Sequence, residues 1–313
     1  MIQKERIKLL NNKQFRNEKY IIYWMQQSQR TDYNHALEYA INLSDKYNKP
    51  LIVYFGLTFN FPDANIRHYK FMFEGLENVK KSLDKRNIKF LLIENSPEIG
   101  IIEISKNACI IIVDRGYLKI QRSWRKSVAE KIKCPLIQIE SDVVVPIQVT
   151  SNKEEYSACT IRHKIHDKLK KYLITVKKQK YNQEYIEHEF DSIDIKNIKI
   201  NNIDSSVNPV KNFLGGTNHA LNHLNLFLKE KISEYQEKRN DPNINFVSNM
   251  SLYLHFGQIF PLQIALSVLK NKNPGNESYL EELIIRRELS INFIYYNIKY
   301  NEFDGLPDWS KKT

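Results

Sequence analysis

Residues 50–57 read PLIVYFGL and residues 108–114 read ACIIIVD. Both are short, nearly continuous apolar runs rich in branched side chains. A strand buried on both faces looks like this, and a parallel sheet sandwiched between helices buries its strands that way. The flanking chain supplies the rest. Strand signals recur at residues 19–24 (KYIIYW), 88–94 and 135–140, and helical periodicity fills residues 35–47, 66–83 and 119–132. Strands alternating with helices predict an α/β fold with helices on both faces of the sheet. Such sheets bind ligands outside the carboxyl ends of their strands. Neither GxGxxG nor GxxxxGK[ST] occurs, so the two common phosphate-cradling loops are excluded.

After about residue 171 the pattern changes. Residues 171–211 are polar, with scattered charges and little periodicity, as in an interdomain linker. Beyond Gly215-Gly216 the chain reads as all helix, with helices expected over 220–237, from about 251, over 261–269 and over 278–296. The expectation is α/β plus all-α: an α/β domain over 1–170, a linker over 171–211 and a helical domain over 212–313.

Composition narrows the function classes. The chain has 313 residues, 42% hydrophobic and 27% charged, enough for two ordinary cores. No apolar run approaches the roughly 18 residues of a membrane span, and the polar N-terminus has no signal-peptide core. A soluble, cytoplasmic protein is expected. Cys109, Cys134 and Cys159 are widely spaced and form no CxxC pair, which argues against a disulfide framework or zinc site. The net charge of +11 points towards a polyanion or a merely solvated basic face. Its densest stretch, residues 161–180, holds eight Lys/Arg against Asp167 alone.

Three helical-half segments can carry chemistry: Tyr235 with Arg239-Asn240-Asp241-Pro242, residues 248–259 (SNMSLYLHFGQI), and residues 280–289 (LEELIIRREL). Small polar side chains at Ser248-Asn249-Met250-Ser251 precede an apolar helical run. That is an N-cap signature with Ser248 or Ser251 as the cap, and a helix start also favours an anion. Glu282 and Arg286 are four apart, so they share a helix face; a surface ion pair and a site beside a cationic anchor both fit. His255 fits a core histidine as well as a ligand.

Taken in order, these segments resemble the class II cyclobutane pyrimidine dimer photolyases. The resemblance begins at Tyr23-Trp24-Met25-Gln26 with Gln29-Arg30, Asn34 and Ala36-Leu37. It continues through Asp63-Ala64 with Arg67, Tyr69, Phe71 and Met72, then Ser151–Tyr156 with Thr160-Ile161-Arg162. Gly215-Gly216, the three helical segments above, and Pro307-Asp308-Trp309 with Lys312-Thr313 complete it.

The resemblance implies a Rossmann-like antenna domain followed by a helical FAD-binding domain, and light-driven repair of pyrimidine dimers in ultraviolet-damaged DNA by electron transfer from reduced FAD. The chain would be a deoxyribodipyrimidine photo-lyase acting as a monomer, with a deazaflavin-type antenna chromophore as a second cofactor. Carried over by position, Tyr235, Ser248, Asn249, Met250 and Ser251 would line the flavin's phosphate side. Gln258 would lie nearby, Arg286 would anchor the cofactor, and Glu282 would hydrogen-bond the dimer from an apolar, desolvated cavity. The chain departs from the family at Leu252, where a proline is usual, and at Phe260, where a serine is usual. The family also continues beyond the position of Thr313 with helices that complete the flavin cup, so a truncated helical domain, needing a missing C-terminal segment, is expected. A cryptochrome-like photoreceptor and an inactive remnant are the alternatives.

Overall fold

The computed structural model describes residues 2–187, 190–198, 203, 204 and 206–312. It contains one sheet of six strands: β1 (Ile7–Leu9), β2 (Tyr20–Trp24), β3 (Leu51–Leu57), β4 (Lys89–Glu94), β5 (Ala108–Asp114) and β6 (Leu136–Ile139). Their spatial order is β1-β6-β5-β2-β3-β4. Strands β2 to β6 are mutually parallel, whereas β1 runs antiparallel to β6, with Ile7 opposite Ile139. Four helices connect the parallel strands: α1 (His35–Tyr47), α2 (Ile66–Asp84), α3 (Pro97–Ile104) and α4 (Lys119–Lys131). The α/β expectation therefore holds. The sequence reading misses α3 and the short antiparallel edge β1.

The strand alternation divides two cores. Ile21, Tyr23, Val53, Phe55 and Ile112 face α1 and α2. Ile22, Trp24, Ile52, Tyr54 and Val113 face the side of Ile101, Ile104, Trp124 and Val128. Period-two alternation with both faces apolar is what makes these strands look continuous in sequence.

A loop over 140–146 leaves the sheet and leads through α5 (Ile147–Thr150) to α6 (Ala158–Tyr172). The buried side chains of α6, Ala158, Ile161, Ile165 and Tyr172, pack in the helical core together with Val144 and Val145. That core is completed by α7 (Thr217–Glu230), α8 (Tyr235–Lys238), α9 (Met250–His255), α10 (Pro261–Leu269), α11 (Asn276–Leu280) and α12 (Arg287–Tyr296). Packing thus hands the chain to the helical core near Val144, before the expected boundary at 170. One part of the polar stretch after α6, at Ser192 and Ile193, lies along the sheet edge: Ile193 N–H donates to Leu92 O at 2.9 Å, and Leu92 N–H to Ser192 Oγ at 3.1 Å. It covers the otherwise open edge of β4.

Two buried arginines fasten the halves. Arg6 donates to the carbonyls of Glu140, Val143 and Val144. Arg30 donates to Gly257 O at 2.9 Å and to Ser141 O. Gly257 sits at φ 64°, and a Cβ there would come within 1.9 Å of Gln27 O, so the junction requires glycine. Phe260, the departure before α10, is fully buried under the Arg30 guanidinium at 4.7 Å and edge-on to His35 at 5.5 Å. Phe260 gives α10 no side-chain cap and serves instead as an aromatic plug between the halves. No helix among the described residues is long and apolar enough to cross a membrane.

Candidate flavin and substrate cavity

The strand order runs outward from β2 both ways, through β3 and β4 on one side and β5 and β6 on the other, which places the switch point between β2 and β5, where doubly wound sheets bind ligands. Asp114, the last residue of β5, accepts from Tyr23 Oη at 2.7 Å and from the amides of Gln26 and Ser28, each at 2.9 Å. It folds the β2–α1 loop across the strand ends. Burial lifts its carboxyl above the ordinary aspartate range despite those donors.

Above this loop opens a cavity of about 790 Å³, walled by both halves. Gln26, Gln29, Thr58 and Trp124 line it from the α/β side, and Asp142 from the connecting loop. Tyr235, Ser248, Met250, Ser251, Glu282 and Arg287 line it from the helical side.

The helical wall differs in detail from the sequence expectation. Ser248, not Ser251, performs the turn: its Oγ accepts from Met250 N at 3.3 Å. Asn249 takes the left-handed conformation at φ 57°, which asparagine tolerates, and is not part of the cavity lining. Ser251 lies inside α9 and faces the cavity. The Tyr235 ring is fixed edge-on by Phe227 at 5.5 Å and Tyr279 at 5.2 Å. Burial raises its phenol above the ordinary range.

Glu282 and Arg286 do not pair. Residues Glu281–Arg286 form a turn of π-helix between α11 and α12. A π-turn brings residues five apart, not four, onto one face. Arg286 accordingly lies 3.7 Å from Glu281, is more than half exposed, and does not line the cavity. The wound-out turn aims Arg287 inward instead, where it donates to Asp142 O at 2.7 Å and Oδ2 at 2.9 Å. Glu282 accepts from Arg239 at 2.6 Å and is 38% exposed, so it stands at the mouth of the cavity beside a guanidinium, not sealed in an apolar pocket. Gln258 is also elsewhere. It is fully buried, accepts from Gly216 N at 2.6 Å and donates to Phe71 O at 3.2 Å, tying α7 to α2.

The cavity suits a large polar ligand with flat apolar parts. Gln26 Nε2, Gln29 Oε1 and Asp142 Oδ1 are buried and have no hydrogen-bond partner among the described residues. Buried polar atoms without partners are costly, and here they border a cavity that a ligand's polar groups can fill. Hydroxyls at Ser248 and Ser251 and the Arg287 cation face them, with Met250, Leu254 and Leu283 between. Residues that hold FAD have this mixed character, so FAD fits. Gln26, Gln29, Trp124, Asp142 and Arg287 were not singled out as ligand contacts in the sequence. Position at the carboxyl end of the first parallel strand could have found the two glutamines.

The basic stretch at 161–180 is half engaged. Arg162 pairs with Glu281 at 2.6 Å, Lys178 with Asp32 at 3.0 Å, Lys164 with Glu155, and Lys171 with Glu5. Its density in sequence therefore overstates the free positive face. Cys109 and Cys134 are buried thiols and Cys159 is exposed. No group of three or more His, Cys, Asp or Glu suited to a metal occurs among the described residues.

Residues 21–183 match the DNA photolyase family model. Over its whole length the chain is 41% identical to the deoxyribodipyrimidine photo-lyase of Methanothermobacter thermautotrophicus, of which it covers 70%. It is 34% identical to the deoxyribodipyrimidine photo-lyase of Potorous tridactylus over 93% of the chain, spanning 56% of that protein. In fold it is similar to an archaeal photolyase from Sulfolobus tokodaii, whose crystal structure holds two FAD molecules. The TM-score is 0.69 at 17% identity, covering 88% of this chain and 60% of that one.

Proposed function

We propose, since this chain belongs to the DNA photolyase family, that it repairs cyclobutane pyrimidine dimers in ultraviolet-damaged DNA under light, as a member of the class II branch. The observation that carries this reading is the 41% identity to a deoxyribodipyrimidine photo-lyase along the entire chain. The class II assignment is supported by the ordered motif set from Tyr23-Trp24 to Glu282 and Arg287-Glu288.

The cavity residues divide the work. Tyr235, Ser248, Met250 and Ser251 would hold FAD from the helical side, with Arg287 supplying the cation expected at Arg286 and Gln26 and Gln29 meeting polar groups from the α/β side. When bound, reduced FAD supplies the light-excited electron that opens the cyclobutane ring. The protein's part is position and electrostatics. Enzymes that act on a base within DNA, photolyases among them, take it out of the stack, and a dimer that pairs poorly leaves more cheaply. Glu282 and Arg239 at the mouth can meet such a dimer. A bound dimer would meet Glu282, which lines the cavity, and the Arg239 guanidinium that it holds at 2.6 Å would supply positive charge near the pyrimidine carbonyls on which negative charge develops. The α/β wall near Trp124 and Gln26 is proposed to take a second, antenna chromophore of the deazaflavin type.

The test is direct. The purified chain is incubated with excess FAD, desalted, and its visible spectrum recorded; the retained flavin is then reduced and the protein illuminated with ultraviolet-damaged DNA. A retained flavin band with light-dependent loss of dimers is expected. Retained flavin with no repair would sink the repair reading in favour of a cryptochrome-like photoreceptor, and no retained flavin would overturn FAD binding by this chain.

A further inference from the structure

A second cavity, of about 490 Å³, opens between β1, β6 and α4 beside the loop that follows β5. None of its lining residues lines the first cavity. It is lined by Lys8, Arg115, Arg122, Arg125 and Lys126 against a single carboxylate, Glu130. Arg115 is balanced by Glu140 at 2.9 Å. Lys8, Arg122, Arg125 and Lys126 have no ion-pair partner among the described residues. Four unbalanced cations therefore converge on one concavity.

The arrangement is built, not a loose surface cluster. Arg125 is only 8% exposed, and its guanidinium is held on Gly116 O at 2.5 Å. Burial, with Arg115 and Arg122 nearby, pushes its pKa down to about 10, so a bound anion would relieve a real electrostatic cost. Tyr295 organises the rim, its ring lying 4.6 Å from the Arg115 guanidinium and 5.8 Å from that of Arg122. Cation–π contact of this kind fixes a guanidinium's plane before any ligand arrives.

We propose that this pocket binds a phosphorylated small molecule of the nucleotide class, its phosphates held by Arg122, Arg125 and Lys126. Several cations call for a multiply charged anion, and guanidinium forks match phosphate oxygens bidentately. The volume exceeds what one phosphate fills and falls within the range of small-molecule sites, roughly 300–1,000 Å³. Leu10, Ala129 and Tyr295 give the pocket an apolar side for a ring.

Calorimetry at low salt on the full chain, with ADP, pyrophosphate and a short single-stranded oligonucleotide as probes, tests this. ADP is expected to bind and to be competed by pyrophosphate. The rim variant R122E/K126E should weaken ADP by about tenfold or more, since each lost charge-assisted contact is strong. The control K80E/K85E makes the same charge change at the C-terminal end of α2 and the residue after it, outside the pocket, and should bind ADP as the unmodified chain does. Arg125→Gln gives a second reading from inside the pocket, with circular dichroism verifying that each variant is folded. No binding of ADP or pyrophosphate, or equal weakening by the control, overturns the site. Binding of the oligonucleotide alone overturns the small-molecule assignment and makes the pocket a contact for DNA phosphates.

Discussion

Arg239 and Glu282, 43 residues apart in sequence, meet through a 2.6 Å hydrogen bond at the mouth of the larger cavity. The pair joins the end of α8 to the π-turn, so the position of each depends on the other. Because Glu282 is 38% exposed, the pair adds little stability, on the order of 1 kcal/mol or less. Its consequence is geometric. Glu282→Ala is expected to lower the quantum yield of dimer repair while changing flavin affinity by less than about twofold and Tm by only a few degrees. Equal repair yield in variant and parent would remove Glu282 from the substrate mouth.

Gln258 provides the contrast. It was expected near the cofactor, yet its side chain is spent on Gly216 N and Phe71 O. Gln258→Ala leaves the buried Gly216 N–H without its acceptor and removes the second link to α2, at about 1–3 kcal/mol for the unpaired amide. The expected outcome is a large drop in the urea midpoint with unchanged flavin affinity at temperatures where the variant is folded. A selective loss of flavin at unchanged stability would restore it as a cofactor contact.

Phe260 pits two effects against each other. Phe260→Ser restores a hydroxyl cap before Pro261, with a gain of about 1 kcal/mol. It also empties the site between Arg30 and His35, and truncating a buried phenylalanine to a small residue costs about 3–5 kcal/mol. The plug wins, so the variant should unfold at lower denaturant. A stabilised variant would mean that the halves do not depend on this contact.

The fold was readable because the sheet's strands are buried on both faces and the helices between them are amphipathic. What escaped had specific causes. β1 is three residues long with no fully buried side chain, so it leaves no pattern. α3 reads PEIGIIEI, apolar without a polar stripe, and gives no helical period. Around the site, residue types were legible and their directions were not. Periodicity puts the segment 280–289 on a helix, but one π-turn shifts the phase: Arg287 turns inward, Arg286 outward, and Glu282 meets Arg239. Hydrophobic periodicity carries no mark of such a turn. Nor could sequence distinguish a glutamine that faces a ligand from one that ties two helices.

Glu288 offers a pH test of the junction. It is fully buried one residue beyond Arg287, its Oε1 accepting from Val144 N at 2.5 Å and Val145 N at 3.3 Å, while Oε2 has no partner among the described residues. Burial outweighs the two amides and the nearby Arg287 and Arg6, and raises its pKa from 4.5 to about 8. The folded value lies above the unfolded one, so the folded state keeps its proton where the unfolded state has lost it. The stability tied to that proton is complete below the unfolded pKa, declines as pH rises from 4.5 towards 8, and is gone above the folded pKa. Within that window the slope is about 1.4 kcal/mol per pH unit. Glu288→Gln keeps an oxygen for both amides and removes the titration. Urea unfolding of both proteins at several pH values from 5 to 9, roughly spanning the window, should show the parent losing stability relative to the variant as pH rises. Parallel curves would mean that Glu288 ionises in the folded protein as freely as in the unfolded chain, and that the loop from Asp142 to Val145 is open to water.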